Sequence, residues 1–500
     1  MTAGLNMDEE LIFILFYGIY LVLQLGFAVH ILLTRHEEPS SALMWLLVIV
    51  LLPVAGMVFY CFFGIIRIKT VGMRVQRIQD FVDSSRNKYL GRQFKTYLAN
   101  LNEFIPPPED NSEPRKILDN LFPLRPLLRG NKLELLKDGT SAYPRMLEDI
   151  KKAEHSIRMQ SFIIMNDPVG KAIFDALEER AEKGVDVKVQ YDSFGSFKAS
   201  FSYFFHRYVK KKLRNLTIRP FSPFNILTPW RIQLRNHRKL LIIDGKIAYI
   251  GGINISEENV KMKKLPRRKH IHDLHCRITG PAVAAFQMAF LKDWVYSTRS
   301  KLIAEELPYD FPPQQEEGSS LVRVVDSGPG QNYQGSKNVF FAAAATAKKS
   351  LWILTPYFVP GRSYIQALAM TAARGVDVRV IVPQNNNHPF VALATQSFYR
   401  LLLFAGIRVF EKRGDFSHAK AMLVDSEWAF MGSSNCDVRS FRLNFELDFC
   451  VRNGQFIDDL KKQFDNELAA SREITLKAVN NKSVLAKLRE NFCSLFAPIL

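Results

Sequence analysis

HRKLLIIDGKIAYIGGIN, from His237 to Asn254, decides the reading of this chain because HAKAMLVDSEWAFMGSSN, from His418 to Asn435, repeats its pattern. Both copies contain His-x-Lys-x-x-x-x-Asp, as His237, Lys239, Asp244 and as His418, Lys420, Asp425, and in both a Gly-x-x-Asn begins seven residues after the Asp. Side chains two apart share one face of a strand, so each copy offers an imidazole and an ammonium together. LLII and AMLV continue those strands, and Asp244-Gly245 and Asp425-Ser426 turn tightly into the next. Two histidines facing one phosphodiester divide the labour: one attacks phosphorus and the other protonates the leaving oxygen. The pattern points to phosphoryl transfer.

Such a site also needs positive charge on the nonbridging oxygens and groups that fix each imidazole tautomer. Lys239 and Lys420 supply the charge, and Asn254 and Asn435 supply amide donors. The small residues Gly251, Gly252, Gly432 and Ser433 let backbone and phosphate approach closely. Asp273 and Glu446 follow the two motifs at matching places and are the candidates to orient the imidazoles; the alternative for each is a surface carboxylate beside a strand. Asp244 and Asp425 complete the catalytic motif, yet a carboxylate at a turn reads first as a turn- and lobe-stabilising residue. No metal or other cofactor is required, because the lysines provide the electrostatics. Five cysteines (Cys61, Cys276, Cys436, Cys450 and Cys493) show no metal-ligand spacing and fit a reducing compartment.

The motifs sit inside a longer internal repeat. AEHSIRMQSFII (Ala153 to Ile164) parallels AKKSLWILTPYF (Ala347 to Phe358), and GVDVKV (Gly184 to Val189) parallels GVDVRV (Gly375 to Val380), each a glycine helix stop leading into a strand. Asp273-Leu274 then matches Glu446-Leu447. Alternation of strand and helix in each half predicts an α/β fold of two pseudo-symmetric sandwich lobes around one site. The expected division is an N-terminal helical hairpin (1–66), a basic segment and Pro-rich linker (67–114), a first lobe (115–306), a linker (307–331), and a second lobe with a C-terminal helix (332–500).

A net charge of +18 over 500 residues predicts attraction to polyanions, either nucleic acid or anionic lipid. The N-terminus favours lipid. Leu11 to Leu33 is an uncharged apolar run long enough, at about 1.5 Å per residue, to cross a bilayer as a helix. Ser41 to Ile66 is a second run without charge, and Pro53 falls inside it, where a kink costs little. Together they predict a transmembrane hairpin, with Arg35 alone in the connecting loop and Arg67, Lys69, Arg74 and Arg77 after the second run. That asymmetry predicts a cytoplasmic body. Basic clusters from Lys210 to Arg214 and from Lys261 to Lys269 read as headgroup contacts or as solvated faces. Val484, Leu485, Leu488, Phe492, Leu495, Phe496 and Ile499 recur at helical spacing, suited to packing on the body or, second, to lying on the bilayer.

The paired motifs with trailing GGIN and GSSN resemble the phospholipase D superfamily. The apolar runs, NHRKLLIIDG, HDLHCRITGPAV and the segment from Ala153 to Ser196 resemble bacterial cardiolipin synthases, over nearly the whole chain. The resemblance implies a phospholipase D-type fold and a phosphohistidine intermediate in the inner membrane. Two phosphatidylglycerol molecules would yield cardiolipin and glycerol, with His237 as nucleophile and His418 as acid, then base. GGIN departs from the GSxN form and leaves no hydroxyl at Gly252. Other readings are a hydrolase using water, a transferase using another alcohol such as serine, or a silent scaffold. Nucleic acid is disfavoured as a substrate, because a nuclease gains little from an apolar anchor.

Overall fold

Aliphatic runs bounded by turn residues become strands along most of the chain. The computed structural model describes residues 7–34, 39–64, 101–107, 112–223, 234–261, 270–298, 311–329, 334–452 and 454–496. The orientation-setting residues Arg35, Arg67, Lys69, Arg74 and Arg77, the basic residues from Lys263 to Lys269, and Ile499 lie outside the described residues.

In the first half the strands are β1 (Leu128–Lys137), β2 (Ser156–Ser161), β3 (Asp186–Tyr191), β4 (Leu216–Pro220), β5 (Leu240–Ile243), β6 (Ile247–Gly251), β7 (Ile271–His272) and β8 (Leu274–Thr279). The second half contributes β9 (Ser320–Ser327), β10 (Ser350–Leu354), β11 (Phe358–Val359), β12 (Asp377–Pro383), β13 (Arg408–Lys412) and β14 (Phe416–Ser417). It continues with β15 (Ala421–Val424), β16 (Trp428–Gly432), β17 (Cys436–Asp437), β18 (Glu446–Arg452) and β19 (Ser471–Ile474). Fifteen of them form one sheet, in the order β19-β13-β12-β10-β15-β16-β18-β9-β1-β8-β6-β5-β2-β3-β4. Read outward from the centre, β1-β8-β6-β5-β2-β3-β4 and β9-β18-β16-β15-β10-β12-β13 are the same succession, so the sequence repeat is a structural duplication. β2, β5, β15 and β16 are buried along their whole length, as expected for a sheet covered on both faces.

The halves join where β1 pairs antiparallel with β9, Leu128 opposite Val322 and Asn131 opposite Ser320. Asn131, with no exposed surface, holds this seam. Its amide donates to the carbonyls of Leu128 (2.8 Å) and Ser320 (3.3 Å), while its Oδ1 accepts the N–H of Ala282 at 2.8 Å. That last bond fixes the start of the helix Ala282–Thr298. One central core draws on both halves, with Leu240, Ile250 and Phe290 beside Phe449, Leu460 and Phe464.

Two expected boundaries cut through structure. β9 lies within 307–331, where Pro, Gly, Gln and Glu suggest only a linker, and it is the second half's counterpart of β1. The helix Glu113–Leu121 lies at the expected start of the first lobe, but Leu118 and Phe122 pack into the second lobe's core with Val339 and Phe340. Arg125 pairs with Asp326 at 2.7 Å across the same divide.

Among the described residues, one helix is long and apolar enough to cross a membrane, Leu11–Thr34, 24 residues of mean hydropathy 2.2. The second apolar run departs from the expected span. It is a 13-residue helix, Pro39–Leu51, then a break around Pro53, then short turns Ala55–Phe59 and Tyr60–Gly64. Pro53 has no N–H and its ring crowds the preceding turn, so the helix stops there. The pieces pack on the first helix through Ile31, Ala42, Ile49, Met57 and Tyr60, with Tyr60 Oη 2.9 Å from His30 Nδ1. The C-terminal helix Val484–Ser494 packs on the body through Cys493, which clusters with Val359 and Ala394, but it leaves Val484, Leu485, Leu488 and Phe492 exposed.

Candidate active site

His237 and His418 lie just before β5 and β15 rather than within them. Each is held by the opposite half. The N–H of His237 donates to the carbonyl of Phe445 at 2.9 Å, and the N–H of His418 donates to that of His272 at 2.7 Å. Phe445 immediately precedes Glu446, and His272 immediately precedes Asp273. The short parallel pair β7·β14 and the bridge between Asn236 and Phe445 fix this exchange.

As a result each imidazole meets the other half's carboxylate. His237 Nδ1 lies 3.0 Å from Glu446 Oε2 and 3.0 Å from the Ser433 carbonyl; His418 Nδ1 lies 2.7 Å from Asp273 Oδ2. An Nδ1–H donated to these acceptors leaves the His237 Nε2 lone pair for chemistry, whereas that of His418 faces the Lys420 ammonium. Lys239 Nζ donates to the His237 carbonyl at 2.5 Å, and Lys420 Nζ lies 3.0 Å from His418 Nε2. The aromatic rings of Phe162 and Tyr357 lie 5.0 and 6.0 Å from His237 and His418.

Burial and the nearby ammonium groups govern protonation. Burial, with Lys239 and Lys420, holds His237 well below its ordinary value. Burial and Lys420 pull His418 down to about 3. Lys239 falls to about 7 by burial and repulsion from Lys420, and Lys420 to about 8 by burial. The carboxylates differ. Burial alone would raise Asp273, but Lys420 and His418 outweigh it and the net shift is downward. Glu446 is raised by burial despite Lys239 and the hydroxyl of Ser433. The His418 side therefore has the more firmly ionised partner.

Ser433 Oγ donates to Glu446 Oε2 at 2.5 Å and accepts the N–H of Leu447 at 2.9 Å. Gly252 holds the equivalent place, where a Cβ would lie 2.0 Å from Asp273 Oδ1. The missing hydroxyl in GGIN is thus space filled by Asp273. Asn254 Oδ1 accepts the N–H of Ile163 at 3.1 Å, whereas Asn435 Oδ1 is buried without a hydrogen-bond partner among the described residues.

Asp244 and Asp425, placed by position in the catalytic motif, are not with the histidines. They sit in the turns at the far ends of β5 and β15, with φ of 52° and 54°. At about 3.3 Å per residue, Asp244 is some ~16 Å along the chain from Lys239. Asp244 accepts the N–H groups of Glu154, His155 and Ser156 at 2.8–2.9 Å, and Asp425 those of Lys348, Lys349 and Ser350. Each carboxylate caps the start of the strand, β2 or β10, that pairs antiparallel with its own hairpin.

Several site residues escape sequence reading. Arg238, between the motif His and Lys, is buried and reaches three elements: Asp293 Oδ2 at 2.9 Å and the carbonyls of Glu446 (3.0 Å) and Ser327 (3.2 Å). Its signal was visible, since a charge on the opposite face of a buried strand requires a partner; Ala419 holds that place in the second copy. Asp448 is pushed up to about 7 by burial and Glu446, and accepts Ser336 and Ser434 hydroxyls at 2.6 Å each. Among the described residues, no group of three or more His, Cys, Asp or Glu could hold a metal ion.

A duplicated sheet bringing two His-Lys pairs to one centre, each imidazole backed from the other half, defines a phospholipase D-like protein. The family described as "Cardiolipin synthase, PLD-like domain" matches residues 146–294 and 341–468, once in each half, and "Phospholipase D-nuclease N-terminal" matches 22–64. The chain is 31% identical to a cardiolipin synthase of Oceanobacillus iheyensis over 490 residues, 97% of this chain and 99% of that one. It is 33% identical to a cardiolipin synthase of Staphylococcus aureus (strain N315) over 522 aligned residues, 100% and 99% of the two chains. Among solved structures, a phosphatidylserine synthase of Haemophilus influenzae Rd KW20 shares the fold, with a TM-score of 0.61 at 16% identity over 78% of this chain and all of that one. The chain belongs to the cardiolipin synthase family with PLD-like domains.

Proposed function

We propose that this chain is a cardiolipin synthase, a phosphatidyltransferase that joins two phosphatidylglycerol molecules and releases glycerol. The crosswise pairing of His237 with Glu446 and of His418 with Asp273 carries the reading, because it equips one site with two oriented imidazoles. His237 Nε2 attacks phosphorus, the bond from phosphorus to the glycerol oxygen breaks, and His418 gives that oxygen its proton. The headgroup hydroxyl of the second phosphatidylglycerol then passes its proton to His418 and attacks phosphorus, and the bond to His237 breaks. The firmly ionised Asp273 supports His418 as the group that carries the proton. Lys239 and Lys420 hold the nonbridging oxygens; the anionic substrate in turn favours the charged lysines and a protonated His418.

The protein works as a multi-pass protein of the bacterial inner membrane, with its catalytic body cytoplasmic. Leu11–Thr34 supports the membrane placement, the exposed apolar side chains Leu43, Leu47, Val50, Leu51, Val54, Val58 and Phe59 support a second crossing, and the Lys/Arg asymmetry of the flanks supports the orientation. In vesicles containing labelled phosphatidylglycerol alone, with excess chelator, the expected products are cardiolipin and equimolar glycerol. Phosphatidic acid alone would make water the acceptor. No product without an added alcohol would make the enzyme a transferase of different acceptor.

A further inference from the structure

Phe194, Phe197, Phe201 and Tyr203 leave 61, 61, 76 and 75% of their surfaces exposed. Such rings gain by leaving water, so an exposed row of them points to a partner. They lie on the crossover from β3 to β4, which leaves the sheet at the edge where the histidines lie. Phe162, one residue beyond β2, stacks edge-on against His237, and the Arg235 guanidinium, two residues before His237, lies 4.9 Å over the ring of Phe194. Between Ser193 and Asn215 the chain has Lys198, Arg207, Lys210, Lys211, Lys212 and Arg214 and no acidic residue.

The second half has a matching rim. Tyr357 lies 6.0 Å from His418 and 5.8 Å from His388, ring to ring. Two residues on, Phe390 meets Phe496 at 5.4 Å, and Phe496 meets Phe492 at 5.5 Å. Phe492 belongs to the C-terminal helix, whose Val484, Leu485 and Leu488 are 74, 67 and 60% exposed beside exposed Lys487 and Arg489.

We propose that these two rims seat the active-site edge of the body on an anionic lipid bilayer, rings at the headgroup boundary and cations against phosphates. The proposal rests on the lipid-substrate reading above and adds the surface by which the site meets its substrate. Charge selects the occupant: Lys211 and Arg207 meet Glu178 (2.7 Å) and Asp175 (3.9 Å), and Lys198, Lys210, Lys212 and Arg214 leave the rim net basic, so it repels a second copy of itself and attracts an anionic leaflet. The same chain carries the apolar helix Leu11–Thr34, so docking is an intramolecular step at high effective concentration.

The test uses the full chain in vesicles containing phosphatidylglycerol, with Cys61→Ser and a spin label at F201C or, at the opposite sheet edge, at K183C. Collision rates with oxygen and with a water-soluble nickel chelate report depth. The expected oxygen-to-nickel ratio is at least threefold higher at position 201 than at 183, and it falls in phosphatidylcholine vesicles. Equal ratios overturn the proposal, protection from both reagents assigns the rim to a second copy, and indifference to lipid charge removes the anionic surface. A triple variant F197S/F201S/Y203S should lower turnover on vesicles at least fivefold relative to turnover on detergent-dispersed phosphatidylglycerol; an equal loss on both means a folding role instead. Label depth requires no turnover. Immersion without cardiolipin formation would therefore sink the synthase reading alone, and cardiolipin formation without immersion would sink the docking surface alone.

Discussion

Gly252 and Ser433 occupy the same place in the two halves yet do different work. Ser433 hands a hydroxyl to Glu446, while Gly252 leaves room for Asp273, so the site is a duplication whose halves have diverged. Gly252→Ser copies the second half into the first and should push Asp273 away from His418. Turnover should fall at least about 100-fold, the scale of a lost acid–base contribution, with the circular dichroism unchanged. Unimpaired turnover would mean that Asp273 does not serve His418. The lysines set a pH limit. With Lys239 near 7 and Lys420 near 8, both are charged at lower pH and lose charge as pH rises through that window. The KM for phosphatidylglycerol should therefore climb between pH 7 and 9, measured in mixed micelles at fixed ionic strength. A flat profile would contradict the assignment of these ammonium groups to the phosphate.

At the level of elements, the hairpins β5–β6 and β15–β16 follow directly from LLIIDGKIAYI and AMLVDSEWAF, as alternating or buried apolar runs around a three-residue turn. Asp244 and Asp425 anchor those hairpins to β2 and β10. Asp244→Ala removes the acceptor of three N–H groups and should destabilise the protein by about 2–4 kcal/mol, read by thermal melting in detergent. Turnover per folded molecule should stay within about threefold, well short of the ~100-fold loss of an acid–base group. Lost turnover at unchanged stability would restore the Asp to a proton-carrying role. Period and turn chemistry made these strands legible. β9 was hidden because its apolar LVRVV sits between Pro- and Gly-rich flanks, and the second apolar run misled because composition reports hydrophobicity but not where Pro53 ends a helix.

Across the whole molecule, the doubled motif announced two lobes and one site, and Asp273 and Glu446 were found by their matched positions. What the sequence does not display is the exchange between halves: His237 takes its carboxylate from the second lobe, His418 from the first, and Arg238 ties its own strand to β9 and β18. Pairings across 145 or 209 residues leave no local pattern to read. Because each imidazole depends on the other half, catalysis belongs to the joined sheet rather than to either lobe. The most direct test is to acid-quench the reconstituted enzyme during turnover of phosphatidylglycerol labelled at phosphorus and to map the covalent label by peptide. Label is expected on the peptide bearing His237, accumulating in His418→Ala and absent from His237→Ala. Label on His418, or no covalent label during active turnover, would contradict it.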